Sequence, residues 1–426
     1  MHTYLGIDFG TSGARSCIVD DAGHMLTTVR TALPPPARHG PAVEQEAGLW
    51  WTALTDNLDA LKTQTDLADV AAVCIDGTSS TLLLCDATGA PLAPALMYND
   101  TRATDAAARI DALAPAGNAA SGATGSLAKL LWLLETPAGR RAAFALHQAD
   151  WLLARLCGHY GISDENNALK LGYDPVQRRW PDWLQRLPVP ETLLPTVLAP
   201  GTTIGRLTPE ACRRWGFATD TRVVSGTTDS TASFIATGAG PGEAVTALGS
   251  TLVLKVCARR PVFAPERGVY SHRLGELWLV GGASNTGGAV LRQFFTGADI
   301  ARYTAQLQPA RPTGLDYYPL VAPGERFPVN DPQLAPRLVP RPADDAQFFQ
   351  AILEGITAIE ARGYRLLAEL GAPLPACVIT TGGGAVNAGW RAMRAQALGV
   401  PVIAAKHQEA AYGAALLALR SESISS

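Results

Sequence analysis

Three short segments of the chain carry residue types that could manage a polyphosphate. Asp8-Phe9-Gly10-Thr11-Ser12-Gly13 lies between two apolar, β-prone runs at residues 4–9 and 15–19, so it reads as a hairpin with a polar tip. Gly249-Ser250-Thr251 lies between similar runs at 244–248 and 252–256 and repeats the pattern more loosely. A triphosphate site without a Walker loop needs backbone N–H groups and hydroxyls close to the phosphates, and glycine removes the Cβ that would block them. Asp8, at the end of its strand, is either an ordinary turn carboxylate or the group that holds Mg2+ through water.

The third segment, Ser225-Gly226-Thr227-Thr228-Asp229, follows a strand-like run at 222–224 and opens a helix. Asp229 there is either a helix-capping carboxylate or a base for an attacking hydroxyl, a role worth about 10²–10⁴ in rate. Thr380-Thr381-Gly382-Gly383-Gly384-Ala385-Val386-Asn387 leaves another strand. Its three glycines permit a flexible turn or a main chain lying flat against a nucleotide. No GxxxxGK[ST], GxSxG, HExxH or strand-following GxGxxG occurs, so P-loop NTPases, serine hydrolases, zincins and Rossmann dehydrogenases lose support. The histidines show no ligand spacing.

The elements that must position these residues alternate in an α/β manner. Strands are expected at 4–9, 15–19, 70–75, 81–84, 222–224, 244–248, 252–256, 277–280, 378–380 and 402–404, and helices at 47–62, 101–113, 127–134, 345–370, 388–398 and 409–419. The echo between the two hairpin tips suggests a duplicated domain, with units at 1–230 and 231–426 and a last helix free to pack back on the first. A length of 426 residues fits two or three domains, and 47% hydrophobic with 17% charged residues is a globular composition. With 38 acidic and 35 basic groups and no basic run, nucleic acid is not an expected partner. Seven scattered cysteines, no secretory leader and no apolar run of ~18 residues point to a cytoplasmic protein without a membrane span.

Taken together, these residues resemble the FGGY family of carbohydrate kinases, within the superfamily of duplicated ribonuclease-H-like domains that includes actin, hexokinase and the heat-shock chaperone ATPases. Asp8 to Arg15 looks like the family's DxGTxxxR, and Val43-Glu44-Gln45-Glu46 with Trp50-Trp51 looks like its VEQ(D/E)…WW. Asn99-Asp100-Thr101-Arg102 resembles NDxR, Ser163-Asp164 with Asn166 and Ala168 resembles (T/S)D-x-N-x-A, and Gly226-Thr227-Thr228-Asp229 resembles the loop of the catalytic acid. The stretch around Lys129 and Trp132 is similar to the family signature, with Thr124 and Thr136 departing at its edges. Gly382-Gly383-Gly384 with Asn387 and Trp390, then Glu409 with Gly413-Ala414-Ala415, resembles the adenosine turn and the closing helix.

The resemblance implies an ATP- and Mg2+-dependent kinase of a sugar hydroxyl, with an inter-domain cleft, acting as a monomer or homodimer. It implies Asp229 as base, Asp8 as the metal carboxylate and a contact to sugar, and a sugar-binding first domain with an ATP-binding second. Thr11, Ser12, Gly13, Gly249, Ser250, Thr251, Gly287, Gly382, Gly383, Gly384 and Asn387 would meet the nucleotide. Where the family commonly has Gly-Gln-x-His-Gly, this chain has Asp76-Gly77-Thr78-Ser79-Ser80, which resembles the compact D-ribulose kinases of cyanobacteria and plants. A pentulose is expected, D-ribulose before D-xylulose or another ketose or polyol, phosphorylated at C5 and touched by Asp76, Gly77, Thr78 and Asp229. Asp100 would assist or cap the helix expected at 101, and Lys129 and Trp132 are expected to serve packing and a solvated charge. A non-catalytic actin-like or chaperone-like nucleotide switch is the reading from another class.

Overall fold

The computed structural model describes residues 2–115 and 117–421. They form two compact units, one taking the chain up to Ala236 and again from Glu409, the other running Thr237–Gln408. A boundary at 230 would cut the helix Asp229–Ala236. The division falls after that helix because its buried face, Thr231, Ala232, Phe234 and Ile235, belongs to the first unit's packing.

The first unit's main sheet runs Thr203–Arg206, Arg222–Thr228, Val70–Gly77, Thr3–Gly10, Gly13–Asp20, Met25–Ala32 from edge to edge. Thr3–Gly10 is antiparallel to Gly13–Asp20 and parallel to Val70–Gly77, which is in turn parallel to Arg222–Thr228. The second unit's sheet runs Tyr270–Leu274, Leu277–Ser284, Leu252–Ala258, Glu243–Leu248, Cys377–Thr381, Val402–Ala404. There Glu243–Leu248 is antiparallel to Leu252–Ala258 and parallel to Cys377–Thr381, itself parallel to Val402–Ala404. Both sheets are therefore a three-stranded antiparallel meander continued by two parallel strands. They differ in the sixth strand, which joins opposite edges of this common pattern.

Several elements escape periodicity. Met25–Ala32 is an edge strand in which only Val29 is buried, so it lacks the alternating apolar face that marks a strand. The helix expected at 101–113 is confined to Thr104–Asp111, because Asp100 and Arg102 are engaged by side-chain bonds before it starts. Gln148–Cys157 is a helix whose entry is fixed by an unusual pair, His147 and Asp150, with Asp150 Oδ2 3.0 Å from His147 Nδ1. A second, five-stranded sheet is inserted in the first unit, in the order Ala37–His39, Ala42–Gln45, Ala95–Leu96, Leu82–Cys85, Phe144–His147. All seven cysteines are free and six are buried.

Glycine decides how the last helix, Ala410–Arg420, lies in the first unit. A Cβ on Gly6 would stand 2.1 Å from Ala411 O, and one on Gly413 would stand 1.9 Å from Ala232 O. Backbone thus packs on backbone at both places, which only glycine allows. In the second unit a buried ion pair ties four elements. Arg394 donates to Glu360 at 2.6 Å through both Nε and NH2 and to Thr380 Oγ1 at 2.8 Å, while Thr246 Oγ1 donates to Glu360 at 2.6 Å.

Two outcomes follow for stability. Arg394→Met leaves Glu360 charged and buried, and chemical denaturation should show a loss of about 3–5 kcal/mol. Gly6→Ala should cost about 1–3 kcal/mol or more by overpacking, read in the same experiment.

Candidate active site

Strand register brings the carboxylates together. Asp8 pairs with Asp76 across two parallel strands, and Thr227 and Thr228 pair with Asp76 and Gly77 on the next. In-register partners face the same side of a sheet, so Asp8 and Asp76 are neighbours at the strand ends, and Asp229 follows at once as the first residue of its helix. Asp76 is fully buried and neither of its oxygens receives a hydrogen bond from the described residues. A carboxylate would need such donors; a carboxylic acid can itself donate to Asp8. Burial, then the charges of Asp8 and Asp229, hold Asp76 well above the usual carboxylate range. Burial and Asp229 likewise raise Asp8 to about 6, against a hydrogen bond from Asp76 that lowers it.

The strand before Asp229 is irregular, with its register shifting between Val224 and Thr227. Gly226 sits in that irregularity, where a Cβ would come 1.9 Å from Ile75 O. Asn166 Nδ2 donates to Thr227 Oγ1 at 3.0 Å, and Asp164 Oδ1 accepts from Asn166 N at 2.8 Å and Asn167 N at 3.1 Å. The Ser163–Ala168 motif is thus a buttress for the strand that presents Asp229, with Asp164 pushed up to about 8 by burial and by Asp150. At the helix start Asp229 Oδ1 accepts from Ser230 N at 2.6 Å.

Gly10 pairs with Gly13 across the first hairpin, leaving Thr11 and Ser12 as its two-residue tip, with Ser12 exposed. Arg15 behind the tip is bonded to Glu409, the N-cap of the last helix. Gly77 and Thr78 lie against Gln148, whose Oε1 accepts from Thr78 N at 3.1 Å and Thr78 Oγ1 at 3.0 Å. Asp100 is fully buried and does not cap a helix. Its Oδ2 accepts from Val43 N at 2.7 Å, and it is paired with Arg102, which also reaches Glu44 at 2.8 Å. Lys129 is not a solvated charge. It is fully buried, and its Nζ donates to Ser80 O at 2.8 Å and Met97 O at 2.7 Å. Burial brings its ammonium down to about 7 against the pull of Asp100. Trp132 is part-buried and carries Arg102 over its ring at 4.5 Å.

The second unit encloses a cavity of about 500 Å³ at its own hairpin tip. Gly249, Ser250, Gly383, Gly384 and Asn387 line it, as the resemblance implies for a nucleotide. Thr251, Gly287 and Gly382, expected to meet the nucleotide as well, do not line it. Gly287 has φ 146°, and a Cβ there would meet Ser250 O and Thr251 Cα at 2.7 Å. Gly382 has φ 80° and donates its N–H to Gln408 Oε1 at 2.9 Å. Asn387 caps the helix Ala388–Leu398 through Trp390 N at 2.9 Å and bonds Thr304 at 3.2 Å. Sequence reasoning missed Leu291, Arg292, Ile300 and Phe349 in the lining. Of these, Arg292 had a usable signal, four residues into the Gly-Gly-opened helix Gly288–Phe294, and its NH2 donates to Ser250 Oγ at 2.8 Å.

The carboxylate cluster fits a divalent cation of the kind FGGY kinases use with ATP. Like charges gather at Asp8 and Asp229, yet among the described residues no three ligands converge as a closed protein site. Such a donor set would hold a cation only together with oxygens from phosphate or water.

The model for the N-terminal domain of the FGGY family of carbohydrate kinases matches residues 3–236, and that for its C-terminal domain matches residues 244–422. The chain is 28% identical over 413 residues to a xylulose kinase of Escherichia coli, covering 93% of this chain and 85% of that one. It superposes on a xyloylose kinase of Brucella ovis with a TM-score of 0.89 at 26% identity, covering 99% and 91% of the two chains. A gluconate kinase of Lactobacillus acidophilus gives 0.88 at 19% identity over 99% and 90%, a likeness of fold alone. Among the described residues no helix is long and apolar enough to cross a membrane. With both domain models matched in order and the carboxylates and glycine turns in place, the chain belongs to the FGGY family of carbohydrate kinases and is a phosphotransferase acting on an alcohol group.

Proposed function

We propose that this protein phosphorylates the C5 hydroxyl of a pentulose with ATP. The observation that carries the reading is the set of three acids at the ends of adjacent parallel strands, with Asp229 at a helix start. Asp229 accepts the proton of the attacking hydroxyl, since the alcohol oxygen must shed it as the new P–O bond forms. Asp8 would hold the divalent cation through water, and burial beside Asp8 and Asp229 holds Asp76 well above the usual carboxylate range. Mg2+, when bound, neutralises charge on the transferred phosphoryl group. The hairpin tip at Thr11, Ser12 and Gly13 and the second tip at Gly249, Ser250 and Thr251, backed by Gly287, offer N–H and hydroxyl donors to phosphates. Gly382, Gly383, Gly384 and Asn387 border the adenosine. Seven free thiols suit an enzyme of the reducing cytoplasm.

Two pentuloses compete. D-ribulose is favoured by Asp76-Gly77-Thr78 in place of the Gln and His common in the family, with Asp76, Gly77 and Thr78 beside the sugar and Asp100 holding the neighbouring loop. D-xylulose is favoured by the E. coli relative, a xylulose kinase. Values of kcat/KM over a pentulose panel decide between them, and well-folded protein without sugar-stimulated ATP turnover would refute the kinase reading.

Asp229→Ala should lower kcat at least about 10²-fold while ATP still binds, and an unchanged kcat would remove it as base. For Asp8 the sign is fixed by its raised pKa. An acid that binds its proton more tightly when folded loses stability as pH rises from the ordinary 3.8 towards about 6. Asp8→Asn should therefore be more stable than the parent protein by about 2–3 kcal/mol above pH 7, with the difference vanishing below about pH 4. The same variant should lose about 10²-fold or more in turnover. Denaturation curves across pH check the first outcome and a coupled assay the second.

A further inference from the structure

Lys129 has no task in the reaction as described, yet it is a lysine with no exposed surface. A buried ammonium needs hydrogen bonds, and both that are described go to main-chain carbonyls of two separate loops. One is Ser80 O, in the turn that follows the strand bearing Asp76. The other is Met97 O, which also accepts from Asp100 N at 2.9 Å at the head of the Asn99-Asp100 loop. The first turn closes with Thr81 N on Thr78 O at 3.3 Å, and Ser80 takes its third position at φ 68°, in the left-handed region that glycine or asparagine normally fills. A serine persists there only where its surroundings over-determine it. Lys129 grips the carbonyl of that very residue.

A second bond joins the same two loops. Thr81 Oγ1 accepts from Tyr98 N at 3.0 Å and pairs with Thr78 Oγ1 at 2.6 Å. Polar atoms around the joined loops are left without partners among the described residues. They are Ser80 Oγ, Asn99 Oδ1 and, beside Gly77, Gln148 Nε2. Buried polar groups are seldom left so, and a polyhydroxylated ligand supplies both donors and acceptors.

We propose that Lys129 is a positioning residue for the acceptor sugar, stapling the 78–81 turn to the 97–100 loop so that the two act as one wall of the sugar site, with Ser80 and Asn99 as further specificity-determining residues on it. The proposal rests on the pentulose kinase reading for the identity of the ligand, whereas the staple itself does not.

The test is Lys129→Met, which keeps the length of the side chain and removes its donors. Steady-state kinetics with D-ribulose and D-xylulose should show the sugar KM raised about tenfold or more, with the preference between the two pentuloses narrowed. Nucleotide affinity, titrated separately, should stay within about twofold of the parent. Hydrogen exchange without ligands should show protection lost in 78–81 and 97–100 together. A folded variant with the parent's sugar KM and preference, or with both loops still protected, would overturn the proposal. Should Lys129→Met fail to fold, Thr81→Val cuts the second link, and the same rise in sugar KM at constant nucleotide affinity is expected; no change would again overturn it. Parent protein inert towards every pentulose would refute the kinase reading instead, and exchange in the variant would still judge the staple.

Discussion

Bringing negative charges together is unfavourable, and the first unit does so at the one place where its sheet leaves it no choice. Parallel pairing puts Asp8 beside Asp76 and ends the next strand at Asp229. Burial and the neighbouring acids hold Asp76 well above the usual carboxylate range and raise Asp8 to about 6, so taking up a proton relieves the crowding. An apolar or amide side chain at either position would make a more stable sheet. The cluster is therefore a site feature that the fold tolerates, and much of the surrounding structure holds it in place. The irregular strand at Gly226 and the Asp164-Asn166-Asn167 buttress hold the strand before Asp229, and the Arg15–Glu409 pair holds the strand that pairs with Asp8's.

The second unit solves a different problem with the same chain pattern. Its meander and two parallel strands repeat those of the first, but its strand ends carry glycines and hydroxyls where the first carries acids. Positive φ at Gly287 and Gly382 lets the main chain turn sharply behind the hairpin tip, and a methyl group at either would collide with backbone. What remains open is a cavity lined by glycines, one guanidinium and apolar side chains. The two units thus share one architecture and differ in the residues at their strand ends and turns.

Polar side chains that never reach solvent do as much positioning as the apolar core. Lys129 binds two loops by their carbonyls, Asp100 binds Val43 and Arg102, Gln148 binds Thr78, and Arg394 binds Glu360 and Thr380. Each such bond is directional and expensive to leave half made, so it sets geometry more sharply than hydrophobic contact does. Asp100 illustrates the consequence. Its carboxylate is spent on the Asn99–Arg102 loop, and the helix that periodicity places at 101 begins at Thr104.

Much of the fold was legible in the sequence, because strands buried on both faces and the helices Ala47–Lys62 and Ala388–Leu398 advertise themselves by local composition. The paired hairpin tips, the triple glycine and the acids at strand ends were legible for the same reason: a turn that must admit a phosphate needs particular residues within a few positions. Edge strands such as Met25–Ala32 were not, since exposure on one side erases the pattern. Nor could the chain alone show that Asp8 and Asp76, 68 positions apart, are neighbours on paired strands, or that Lys129 is buried between Ser80 and Met97. Local sequence determines which backbone shapes are allowed and which chemistry each turn can offer. Which groups meet, and hence their charge and their partners, is settled by strand register and burial, because electrostatics and hydrogen bonding depend on distance in space and not on separation along the chain.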